Sequence, residues 1–116
     1  MSRVSNVIIC GLDCEEHIGE INEWLSKWNE DIKDVSGMAG GGKHLEVSVL
    51  LGAFNHFPCG KFIDFLKAIQ WEWRTEVFIK EEDDDGFCQT ILSDGWRHTE
   101  PPERWHLYYP RGHKEG

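Results

Sequence analysis

Between Lys43 and Trp71 the spacing of apolar residues changes from one period to another within a single unbroken stretch. Leu45, Val47, Val49 and Leu51 alternate with Glu46, Ser48 and Leu50. This is the two-residue repeat of a strand with at least one buried face. Further on, Phe62, Ile63, Phe65, Leu66 and Ile69 fall at i, i+1, i+3, i+4 and i+7, on one side of a helix. Gly52, Asn55, Pro58 and Gly60 mark the corner between them. The stretch predicts a strand, a sharp turn and an amphipathic helix that must lay its stripe on a sheet.

The flanking segments extend this pattern. Val4 to Leu12 is a nearly continuous, β-branched apolar run, which predicts a strand internal to the sheet and buried on both faces. Asp13 is placed to cap a following helix, with Glu16 reaching back in a variant of the capping box. Ile18, Ile21, Leu25 and Trp28 form that helix's apolar stripe, with Trp24 on its flank. Residues 29–43 lose all periodicity and carry four glycines in six positions, which predicts a long loop. Glu76 to Lys80 and Phe87 to Leu92 read as two strands, with Asp85-Gly86 as the hairpin turn.

The predicted fold is α+β: a two-layer β-α-β-α-β-β sandwich with a four-stranded mixed sheet and two helices on one face. Residues 1–92 form the single domain and residues 93–116 an aromatic C-terminal arm that either lies over the sheet or is free to bind. A chain of 116 residues is long enough for one core. Twenty-one acidic against twelve basic side chains give a formal charge of -9, which repels nucleic acid and anionic membranes and favours a basic partner. The N-terminal segment lacks the apolar core of a secretory signal, and no run approaches the roughly 18 apolar residues of a membrane span. The four cysteines therefore read as free thiols and the protein as cytoplasmic.

Several short motifs invite a chemical reading. Gly37 to Lys43 has the spacing of a phosphate-binding loop, in which backbone amides converge on phosphate and Lys supplies the counter-charge. His44 stands where Ser or Thr should hold the metal, however, and strand rather than helix periodicity follows. Cys10, Cys14 and His17 offer zinc-type donors at a spacing that fits no standard knuckle. His44 or His56 with Glu46 would be the material for acid–base catalysis, yet no two of these residues are fixed at catalytic spacing. Neither a cofactor nor a metal is expected. The carboxylates Glu81, Glu82, Asp83, Asp84 and Asp85 form either a solvated hairpin tip or an acidic prong for a basic surface. Trp71 and Trp73 flank Glu72, so only one of the two can face the core, leaving Trp73 as a candidate interface anchor.

The segments SNV at 5–7, NEWL at 22–25, GGGKHLEVSVLLGAFNHF at 40–57 and FIKEEDDDGF at 78–87 resemble a family of small bacterial and phage proteins. The likeness covers about residues 3–92 and is most specific from Lys43 through Asn55. The resemblance implies no activity and transfers no site residue. Two functions follow from the residues themselves. The first is a small acidic binding module of inhibitor or immunity type, which occludes a basic surface of a partner protein through Glu81–Asp85 and Trp73. The alternative is a small-molecule binder, with nucleotides among the candidate ligands, using Gly40, Gly42, Lys43, His44, Asn55 and His56. An unpaired edge strand would also permit a homodimer.

Overall fold

The computed structural model describes residues 3–97. Its strands are β1 (Val4–Gly11), β2 (Lys33–Asp34), β3 (Ser48–Asn55), β4 (Thr75–Glu81) and β5 (Cys88–Ser93), and its helices are α1 (Ile18–Leu25) and α2 (Cys59–Ala68). The sheet is five-stranded in the order β2-β3-β1-β4-β5. Every neighbouring pair is antiparallel. The α+β class and the two helices on one face are as expected, but the four-stranded mixed sheet is corrected on both counts. The added strand, β2, comes from the stretch predicted as loop. Ile32 is buried, and the Asn22 side chain holds it at both ends, accepting from the Ile32 amide at 2.7 Å and donating to its carbonyl at 3.2 Å.

Both helices stack on the side of the sheet that carries Val7 and Ile9 of β1, Leu50 and Phe54 of β3, and Val77 and Ile79 of β4. Ile21 and Leu25 of α1 and Phe62 and Leu66 of α2 complete this core. Aromatic rings fill the seam: Trp24 stacks on Phe65 with centroids 5.1 Å apart, and Phe54 meets Phe57 at 4.6 Å. Offset and edge contacts of this kind add to the burial itself. Trp71 closes one end of the core. It is 2% exposed and donates its indole Nε1–H to the Leu66 carbonyl at 2.8 Å.

Several boundaries differ from the sequence reading. The strand predicted over Leu45–Leu51 runs instead from Ser48 to Asn55, so Gly52 lies inside a strand and not at its corner. The turn into α2 is left to His56–Pro58, with His56 at φ 50°. Asp13 forms no capping box. It sits at φ 59° without a side-chain cap bond and leads into a 3-10 turn, Cys14–His17, ahead of α1. The hairpin between β4 and β5 forms, with Asp85-Gly86 as bends in its connection, but the hydrogen-bonded turn comes earlier, where the Asp84 amide meets the Glu81 carbonyl at 3.0 Å. β1 is internal to the sheet as expected, but only one of its faces is buried. Of the arm 93–116, Ser93–Arg97 belongs to the described structure, where the amides of Trp96 and Arg97 bond to the carbonyls of Trp71 and Glu72. The remainder lies outside the described residues. Among the described residues no helix is long and apolar enough to cross a membrane.

Candidate functional site

Among the described residues the second face of the sheet carries no helix. The antiparallel register fixes what it displays. Leu51, Ile8, Phe78 and Gln89 stand side by side across β3, β1, β4 and β5. On one side of this row lie Ala53, Asn6 and Lys80, and on the other Val49, Cys10, Glu76 and Ile91. An open groove of about 640 Å³ runs over Ile8, Leu51 and Ala53, with Val35 and Phe87 at its sides. Leu51 is 38%, Ile91 45% and Phe87 51% exposed, so the surface is apolar and wet. Contiguous apolar surface of this kind marks an interaction site more often than isolated exposed residues do.

The polar groups bordering the groove are already engaged. Lys80 donates from Nζ to the Glu81 carbonyl at 3.1 Å, and Lys33 pairs with Asp31 at 3.1 Å. Asn6 donates to the Lys80 carbonyl at 3.0 Å. Glu76 is held by Arg74 at 3.1 Å and by the Gln89 amide. The Cys10 thiol lies on this face, and burial, aided by the Glu76 charge, pushes its pKa up, so it stays protonated and poorly nucleophilic. The arrangement offers contact area and shape rather than a proton donor paired with an acceptor.

The predicted partner-binding residues divide. Glu81 accepts from the Ser5 hydroxyl at 2.6 Å, and Glu82 accepts from the Val4 amide at 2.9 Å. These two side chains tie the start of β1 to the end of β4. Asp83 lies 3.8 Å from Arg3, whereas Asp84 and Asp85 make no ion pair among the described residues. Trp73 is not brought to them. It precedes β4 while the acidic turn follows it, so about 20 Å of strand separates them. The Arg97 guanidinium covers its ring at 5.4 Å.

The predicted ligand-binding residues also fall apart. Gly40, Gly42, Lys43 and His44 lie in an exposed loop ahead of β3, where Lys43 and His44 border a small groove of about 210 Å³ with Ser36. Asn55 and His56 stand at the far end of that strand, about 25 Å away at roughly 3.3 Å per residue. Asn55 does not cap α2. Its side chain accepts from the Arg3 amide at 3.3 Å, its own amide donates to Glu30 at 3.0 Å, and together these fasten the sheet's end. Cys10, Cys14 and His17 do not converge: the Cys14 thiol donates to the Ser48 carbonyl at 3.4 Å, while the His17 ring packs edge-on against Trp71 at 4.8 Å. A different cluster, Asp13, Glu16 and Glu72, gathers its carboxylates within 4.8 Å, but Asp13 and Glu16 are solvent-exposed and Glu72 already pairs with Arg97.

Sequence reasoning missed the open face because it assigned the second side of β1 to the interior. The signal was present: Ile8, Leu51 and Phe78 all fall on the same side once the strands are antiparallel. Compared with protein-family models, with characterised proteins and with solved structures, the chain gives no match. The functional reading therefore rests on the geometry.

Proposed function

We propose that the protein is an acidic binding module that docks a partner protein on the open face of its sheet. The observation that carries this reading is the apolar row Leu51–Ile8–Phe78, uncovered among the described residues, with Phe87 beside it and Asp84 and Asp85 in no ion pair among the described residues. The partner chemistry this favours is an apolar ridge set among lysines and arginines. The ridge would fill the groove, and the charge of -9 would draw in the basic surround, acting more on association rate than on final affinity. Occlusion of a basic site on another protein fits this chemistry. The small-molecule alternative has less support, because Lys43 and His44 lie a full strand away from Asn55 and His56.

The test is a comparison of capture by two variants. Ile8→Glu/Leu51→Glu places two carboxylates in the apolar row, whereas Lys61→Gln/Lys67→Gln shifts the net charge by the same two units on the exposed side of α2. We expect the sheet-face variant to lose what the wild-type protein retains and the helix variant to keep it, both folding as wild type does by tryptophan near-UV circular dichroism. Equal capture by both variants would remove the sheet face as the docking surface.

A further inference from the structure

The groove over Ile8, Leu51 and Ala53 has an acidic border. Lys80 and Phe87 line it and enclose the run Glu81–Asp85, so five carboxylates sit in the turn at its edge. Two cations answer them among the described residues: Lys80 itself, and Arg3, which approaches Glu81 and Asp83. Glu82, Asp84 and Asp85 are in no ion pair among the described residues. On the opposite side Lys33 lies between Asp31 and Asp34 and pairs with Asp31 at 3.1 Å, which leaves one more carboxylate in excess. The groove is therefore apolar in its floor and net negative around it, even with two lysines at its sides.

The chain continues past Arg97, and its sequence there matches this surface. Residues 104–114 read RWHLYYPRGHK: Arg104, Arg111 and Lys114 with no carboxylate among them, and Trp105, Leu107, Tyr108 and Tyr109 between the two arginines. This is an apolar ridge set among permanent cations, the chemistry that the docking surface above selects. We propose that residues 104–114 of the same chain seat on the groove over Ile8 and Leu51 and hold it until a partner protein displaces them. The proposal rests on the reading of the open face as a docking surface, and it names what regulates that face. The length of the chain allows it. The Arg97 amide is bonded to the Glu72 carbonyl, six residues ahead of Phe78, and Leu51 stands two strands across from Phe78. Leu51 is therefore no more than about 22 Å from Glu72. Residues 98–105 include Pro101-Pro102, which favours extension, and span about 25 Å at ~3.1 Å per residue, enough to bring Trp105 to the groove. A tether this short holds the segment at an effective concentration of roughly millimolar, so a contact of only sub-millimolar affinity keeps the groove mostly filled. A tighter binder displaces it, with an apparent affinity lowered by the fraction of groove left open.

Photo-crosslinking of the purified full chain, with no partner present, tests this. A photoreactive side chain is placed at Leu51, which lines the groove, and separately at Asp64 on the outer side of α2. From Leu51 we expect an adduct within one chain, at 13.5 kDa, mapped by peptide mass spectrometry to residues 104–114, and from Asp64 none. Arg104→Glu/Arg111→Glu/Lys114→Glu and Trp105→Ser/Leu107→Ser are each expected to lose most of that adduct, and neither set alters a residue of the described core. The proposal is overturned by no adduct, by one at twice the chain mass, which would mean a second copy's arm, or by one confined to residues other than 104–114. Equal yields from Leu51 and Asp64, or a yield unchanged in both arm variants, overturn it as well. The outcome is separable from that of the docking surface. If the adduct forms while the sheet-face and helix variants capture equally, the arm occupies the face and the docking reading alone fails. If the capture difference holds and the purified protein gives no adduct, the docking face stands and the arm proposal fails.

Discussion

Gly52 determines how the aromatic core meets the sheet. A Cβ there would lie 2.5 Å from the Phe54 ring, two residues along on the same face, so that ring can lie flat against the strand only over a glycine. Gly52→Ala is expected to destabilise the protein by about 1–3 kcal/mol through overpacking. Phe54→Leu in the same background should recover part of that loss in a double-mutant cycle, and simple additivity would show that the two positions are not in conflict. Cys14 makes a second prediction at this scale. Its thiol, buried and beside Glu15, is pushed up to about 12 from 9.0. The unfolded chain therefore releases this proton before the folded chain does. The stabilisation is complete below pH 9.0 and is lost as pH rises toward about 12. Denaturant midpoints should fall over that alkaline range, and Cys14→Ala should flatten the decline while lowering stability at neutral pH. An unchanged slope in the variant would contradict the assignment.

At the scale of elements, periodicity identified most pieces but not their edges. α2 and β4 were legible because Phe62 with Leu66 and Val77 with Ile79 keep regular spacing through the buried positions. β3 was misplaced because Leu45 and Val47 continue the alternation into an exposed segment, while Gly52 looks like a breaker and is in fact a packing requirement. β2 was invisible, since two residues have no period and their placement depends on a contact ten residues away in sequence. That contact is Asn22 on Ile32. Asn22→Ala leaves a backbone donor and acceptor unsatisfied beside the core, a loss of about 1–3 kcal/mol. Hydrogen exchange should then rise at Ile32 to Val35 well before it rises in β1, and uniform exchange across the sheet would argue that β2 is not held by this side chain. The candidate site suffered from the same long-range dependence. Trp73 and Asp85 are near in sequence terms but separated by a whole strand, whereas Ile8, Leu51 and Phe78 are far apart in sequence and adjacent in the sheet.

For the whole molecule, the central claim is that a one-sided sandwich of net charge -9 keeps an apolar sheet face free for a basic partner. The helices satisfy one side of the sheet completely, and nothing among the described residues does the same for the other. In the proposed docking, charge and surface would divide the work of recognition: the acidic field would act over a Debye length of about 8 Å at physiological salt, and the groove on contact. Raising salt should therefore slow association with little effect on dissociation. The most direct measurement is photo-crosslinking in the native cell, with a photoreactive side chain at Phe78 on the open face and, separately, at Asp64 on the outer side of α2. The account predicts one defined adduct from Phe78, whose partner carries a basic surface around an apolar ridge, and none from Asp64. The same adduct from both positions, or from Asp64 alone, would contradict it.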